Sequence, residues 1–231
     1  MTKFYALLHP RPDLSLANFH GHWSSVHAQH ALHIKRLRRY VQSHRIDVGL
    51  RDLESAPYEG VAELWFDDIE SALGLESDPD YTQYAKLDEP NFLDISNVRI
   101  VICEEREISQ TVDQRSQATG VKAILILKRT QASTLEELER KVLGLGDLDR
   151  LTDGHHWKLA VVATADRNIP SQGADVICEL WWPSIEIVKE TWPADRAQLL
   201  SVFTGVDMCS LVVEERRIIW PGSVRPDTVG E

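Results

Sequence analysis

The stretch VAELWFDDIE, residues Val61–Glu70, returns later in the chain as VICELWWPSIE, residues Val176–Glu186. Both copies keep a Glu-Leu-Trp-aromatic core, so Glu63 corresponds to Glu179. Working outward, IVICEERE (Ile100–Glu107) corresponds to SLVVEERR (Ser210–Arg217), and KFYALLHPRPDLSLANF (3–19) to KAILILKRTQASTLEEL (122–138), with Lys3 opposite Lys122. Matched blocks in one order and at nearly constant separation mark a tandem duplication. The polar run ISQTVDQRSQAT (Ile108–Thr119) has the composition of a linker. The expected organisation is a first domain over 1–110, a linker over 111–119, a diverged second domain over 120–225 and a tail over 226–231. A chain of 231 residues has room for two such cores.

Each half reads with the same grammar. In the first, Lys3–His9 alternates as a strand, and PRPDLS turns the chain into a helix over about Ser15–Leu37. Its expected apolar stripe is Phe19, Trp23, Val26, His30, Ile34 and Leu37. Strands follow at Tyr40–Val48 and Val61–Phe66, then a second helix over Asp67–Leu75 capped by Asp67 or Asp68, then a strand at Val98–Glu104. Strand, helix, strand, strand, helix, strand is the ferredoxin-like βαββαβ unit. It leaves one sheet face to be covered. The fold expected is therefore α+β, two such repeats packed sheet to sheet as a pseudo-dimeric α/β barrel.

The formal net charge of −11 argues against nucleic-acid binding, and the basic run Lys35–Arg39 reads as a solvated helix end. No apolar run approaches the roughly 18 residues of a membrane span, and no secretory leader is expected. Cys103, Cys178 and Cys209 lie far apart in strand-like runs and read as reduced core thiols of a cytoplasmic protein. No glycine-rich phosphate loop or nucleophile elbow occurs, so no nucleotide cofactor is expected.

Chemistry concentrates in FHGHWSSVHAQHALH (Phe19–His33), which holds five of the nine histidines. Their spacings do not make the pair four residues apart of a helical zinc site, and no Cys, Asp or Glu completes a set, so no metal is expected. By residue type alone His27 stays open between a core histidine and an acid–base group. His22 and His27 fall on opposite edges of the helical stripe, as if to bracket a ligand, while His20, His30 and His33 read as helix surface or helix–helix contacts. On the strands, Tyr5 and His9 share one face, as do Tyr40, Gln42 and His44, and Glu63 shares a face with Trp65. These side chains and Trp23 are the candidate substrate-binding set. Glu63 recurs as Glu179 in the half without the histidines, which marks it as structural, paired with an arginine.

The blocks LSLANFHGHWSSVHAQHALHIKRLRRYVQSH, YEGVAELWFDDIE, DEPNFLD and VICEERE resemble the EthD family. The resemblance is carried most specifically by the Phe19, Trp23, His27 spacing, by Arg39–Gln42 and by Gly60–Phe66. It implies a dimeric α/β barrel, here a single-chain pseudo-dimer that is monomeric or a homodimer. It also implies His27 as general acid/base, with His22 beside it and Trp23 walling the pocket. The second half departs from the pattern: aligned through Lys3 and Lys122, Trp23 faces Val142 and His27 faces Gly146. The site is therefore expected in the first half. The expected function is a cofactor-free lyase or isomerase of the dehydratase, decarboxylase or cyclase type. Its substrate would be a small aromatic, polyketide-like or lactone molecule. Haem is not implied. The alternatives are a cofactor-independent oxygenase on the same scaffold and a non-catalytic small-ligand-binding accessory protein.

Overall fold

Alternating apolar residues and β-branched or aromatic side chains make three antiparallel strands at the start of the molecule. β1 (Thr2–Leu8) pairs with β3 (Gly60–Phe66), and β3 pairs on its other edge with β2 (Arg39–Arg45). The register sets Tyr5 and Val41 on either side of Glu63, and Lys3 opposite Trp65. The computed structural model of the chain describes residues 1–106, 121–131, 133–144, 158–165 and 173–221, so the linker and tail expected from the sequence lie outside the described residues. Later come β4 (Arg99–Arg106), β5 (Val121–Arg129), β6 (Lys158–Ala165), β7 (Val176–Trp182) and β8 (Val206–Ile219). The helices are α1 (Leu16–His22), α2 (Ala28–Ala31), α3 (Ile69–Leu73), α4 (Lys86–Asp88), α5 (Leu135–Leu143) and α6 (Ile185–Val202). The fold is α+β with antiparallel strands.

Packing divides the chain into two bodies. One holds Met1–His44, Pro57–Cys103 and Glu215–Glu231, the other Arg45–Ala56 and Glu104–Glu214. In the first, α1 and α2 are joined by a π-helical turn, Trp23–His27, into one helical run over 16–31. Ser15 caps it, its hydroxyl accepting the Asn18 N–H. The helix expected to reach Leu37 ends at Ala31, because the chain tightens there: Ile34 N–H and Leu37 N–H bond carbonyls three residues back. The basic run is consequently no helix end, since Arg36 pairs with Asp78 and Arg38 forks onto Asp67 at 2.9 Å. The apolar stripe also shifts. Phe19, Trp23, Ile34 and Leu37 are buried as expected, but between Trp23 and Ile34 the buried positions are His27, Ala28 and Ala31, while Val26 is 45% exposed. The extra residue of a π-turn rotates the helical positions that follow it, 27–31 here. Asp68 caps α3, accepting from Ser71 N–H.

In the second body β5 pairs with β7 and β8, and β7 with β6. Lys122 stands opposite Trp181 and Ile124 opposite Glu179, the register seen for Lys3, Trp65, Tyr5 and Glu63 in the first body. Thr134 and Glu137 make a reciprocal capping box at the start of α5, and Gly144 closes it. The segment 45–56, read from the sequence as the end of a strand and a loop of the first half, packs here. Val48 and Leu53 sit in one apolar cluster with Leu125, Leu138, Val176, Trp192 and Val212. Ile46 N–H and Ala56 N–H bond the carbonyls of Val212 and Ser210. Gly49 turns this segment at φ 77°, a left-handed conformation costly for other residues.

Candidate functional site

Beyond α3 lies a helical stretch, 81–91, that the sequence pattern does not predict. After Asp78 the chain forms a π-turn at Tyr81–Ala85, then α4, then a short 3₁₀ turn at Glu89–Asn91. It lies against the 16–31 run, His33 stacking on Tyr84 with ring centroids 4.2 Å apart. This places the Asp88 carboxylate, 6% exposed, beneath two histidines. His22 Nε2 stands 2.8 Å from Asp88 Oδ1 and His27 Nδ1 3.1 Å from Oδ2, while Asn91 donates to Oδ1 at 3.1 Å. An ideal α-helix would carry positions five apart to different edges. Hydrogen bonds of the π type span five residues, so His22 and His27 reach one carboxylate. They share an anchor rather than bracket a ligand. Phe92, fully buried, floors both rings at centroid distances of 5.1 and 4.9 Å.

Burial alone would raise the Asp88 pKa, but the bonds from His27, Asn91 and His22 outweigh it and hold the carboxyl well below the usual range. Asp88 is therefore an acceptor only. The histidines point N–H groups at it, and their other nitrogens, His22 Nδ1 and His27 Nε2, carry lone pairs when neutral. Burial lowers the His27 pKa against the raising effect of Asp88. Next door, burial lifts Glu89 to about 7, and Tyr81 donates to it at 2.7 Å. Adjacent carboxyls held so far apart are what acid–base sites use.

The remaining candidates form two groups on opposite sheet faces. Tyr40, Gln42 and His44 face the helix. Trp23 Nε1–H and Gln42 Nε2–H donate to Tyr40 Oη at 2.9 and 3.1 Å, and Gln42 also donates to the Trp23 carbonyl at 2.7 Å. Trp23 is itself buried, its ring edge against Gly60. His44 Nε2 lies 3.2 Å from Gln42 Oε1, and His44 Nδ1 lies 2.9 Å from His20 Nδ1. His20, read from the sequence as helix surface, is thus half-buried in a bonded pair. His9 packs edge-on to Tyr58 at 5.0 Å. On the other face, Lys3 Nζ pairs with Glu63 Oε2 at 2.9 Å, both buried, and lies over the rings of Tyr5 and Trp65 at 4.5 and 4.2 Å. Ser43 donates to Glu63. Glu63 thus has a lysine, Lys3, as a buried partner. Lys122 and Glu179 repeat the buried pair at 3.9 Å, with Lys122 over Trp181.

Among the described residues no group of three His, Cys, Asp or Glu side chains is placed to hold a metal, and no helix is long and apolar enough to cross a membrane. Cys103, Cys178 and Cys209 are thiols, Cys103 and Cys178 buried, and Cys103 Sγ donates to the Lys3 carbonyl.

In the first body the helical stretches lie against an antiparallel sheet, and His22, His27, Asp88 and Asn91 form one hydrogen-bonded cluster. Residues 11–96 match the family model of the EthD domain. None of the curated proteins matches it. Among solved structures it resembles an anthrone oxidase-like protein, with TM-score 0.64, 10% identity and 96% of each chain covered. It also resembles a putative monooxygenase from Lactobacillus acidophilus, with TM-score 0.51, 8% identity and 94% and 93% of the two chains covered. A third likeness is a putative chlorite dismutase, with TM-score 0.53, 7% identity and 94% and 96% covered. These likenesses overturn the expected lyase or isomerase, and with it the dehydratase, decarboxylase and cyclase readings. The scaffold is shared with proteins described as oxidase-like, monooxygenase and dismutase. A likeness to a heme-binding protein from Thermus thermophilus, TM-score 0.50, raises the question of haem. In the first body Phe19, Trp23 and Phe92 are buried, and both His44 nitrogens are engaged, so His44 is not placed to ligate iron. His155 and His156, the histidines of the second half, lie outside the described residues.

Proposed function

We propose that the protein is a cofactor-independent oxygenase of small, weakly acidic aromatic substrates. The observation that carries this is the pair of imidazoles, His22 and His27, held on the single ionised carboxylate of Asp88. The fold-level likeness to an anthrone oxidase-like protein supports the substrate class. In an anthrone a methylene lies between two aromatic rings, and its protons are acidic because the resulting anion is a delocalised phenolate. The overall change is CH₂ + O₂ to C=O + H₂O. A neutral imidazole removes the first proton, and Asp88 stabilises the imidazolium as in other Asp–His pairs. The substrate anion passes one electron to oxygen. The radical pair then joins into a C–O bond, and the peroxide takes back the proton. The substrate is its own reductant, so no metal, flavin or haem is required. We also propose that the chain is two EthD-type repeats forming a single-chain pseudo-dimer, the second kept for its sheet. The repeated Lys–Glu–Trp register supports this. The cysteine thiols suit a reducing, cytoplasmic compartment.

The test is oxygen uptake with anthrone in buffer containing a chelator. Uptake is expected to exceed buffer autoxidation and to fall about 100-fold or more in Asp88→Asn and in His27→Ala. Wild-type uptake no faster than autoxidation would end the oxygenase reading.

A further inference from the structure

The His20–His44 pair admits one arrangement of its protons. The Trp23 carbonyl can only accept, so the Gln42 atom 2.7 Å from it is the amide nitrogen. Gln42 Oε1 then faces His44 and accepts, so His44 Nε2 carries a hydrogen. Neutral His44 therefore offers a lone pair at Nδ1, and His20 Nδ1–H donates into it across 2.9 Å. His20 Nε2, at the half-buried end of the chain of bonds, is left as a bare base. Burial first, then the charge of Arg216, keeps both rings neutral, and His44 is pushed down to about 3. A proton added at His20 Nε2 breaks none of these bonds, and the charge can be shared by moving the bridging hydrogen to His44. A second proton would set two donors face to face, so the pair takes one. Phe19 touches His20 at 4.9 Å and Phe92 at 5.9 Å, and Phe92 in turn floors His22 and His27. The pair thus borders the same aromatic cluster as the Asp88 centre.

We propose that His20 is a second catalytic base, positioned by His44 and Gln42, that removes the second proton of the oxidised carbon. This rests on the oxygenase reading, which leaves a hydroperoxide on a carbon still bearing one hydrogen. His20 Nε2 takes that hydrogen as a proton, and the C–H electron pair becomes the C=O π bond. The O–O bond breaks, hydroxide leaves, and hydroxide collects the proton from His20 as water. Both methylene protons and one oxygen atom end in water; the other oxygen stays on carbon.

With anthrone as probe, wild type should consume one oxygen per quinone formed. His20→Ala should slow quinone formation about 100-fold or more, with oxygen uptake running ahead of quinone as hydroperoxide accumulates. His44→Leu should behave likewise, and His44→Asn, whose Oδ1 stands where Nδ1 stood, should recover at least tenfold over His44→Leu. Nitrogen-15 spectra of the wild-type rings should show hydrogen on His44 Nε2 and His20 Nδ1 at neutral pH. Quinone formation by His20→Ala at the wild-type rate, or the opposite tautomers, overturns the second base and leaves the oxygenase reading intact. Absence of oxygen uptake by wild type sinks that reading, and this inference with it.

Discussion

At the scale of single residues, the protein holds several ionisable groups away from their ordinary states. His44 shows the consequence for stability. Its folded-state pKa, about 3, lies below the ordinary 6.5, chiefly through burial. The folded state therefore favours the neutral ring. The contribution is complete above pH 6.5 and is lost as pH falls from there toward 3, because the unfolded chain gains the proton first. The loss is at most about 1.4 kcal/mol per pH unit. Urea midpoints of wild type and His44→Asn should converge as pH drops from 7.5 to 4.5, and a gap that stays constant would refute the linkage. Of the candidate site, His22 and His27 were legible in the sequence through residue type and family spacing. Asp88, Asn91 and Phe92 were not picked out, although all three lie in DEPNFLD, one of the blocks that carries the EthD resemblance. A carboxylate 61 positions from its histidine has no local signature.

At the scale of elements, the decisive feature is the closeness of the 16–31 helical run to β3. An ideal Cβ on Gly60 would stand 2.5 Å from Trp23 Cζ3, 2.9 Å from Cη2 and 3.2 Å from the Ser43 carbonyl. Trp23 cannot swing aside, since its indole N–H is tied to Tyr40 and its carbonyl to Gln42. Gly60→Ala should destabilise the fold by roughly 1–3 kcal/mol, as overpacking does, and adding Trp23→Leu should recover part of it. Urea unfolding checks both; a neutral Gly60→Ala would mean the layer yields more than the packing suggests. The same element explains why periodicity misread the buried face. A 3.6-residue repeat predicts Val26 and His30 inside, but the π-turn inserts one residue and brings His27, Ala28 and Ala31 inward.

At the scale of the whole molecule, the segment 45–56 leaves the strand order of the first half and fills the core built by the second. Leu53 is fully buried there beside Val48. Leu53→Ala should cost about 2–5 kcal/mol in urea unfolding, the range for a deleted core leucine. A change below about 0.5 kcal/mol would show the segment to be dispensable there. The amino-acid sequence by itself determined the strands and their order, the correspondence of Lys3, Glu63 and Trp65 with Lys122, Glu179 and Trp181, and the histidine-rich helix. Those follow from local propensity, two-residue alternation and the chain's likeness to itself. Only the tertiary structure decided that His22 and His27 share Asp88, that His20 donates to His44, and that 45–56 belongs to the second body's core. Each depends on side chains distant in sequence meeting at hydrogen-bonding or packing distance, and neither periodicity nor composition encodes such a meeting.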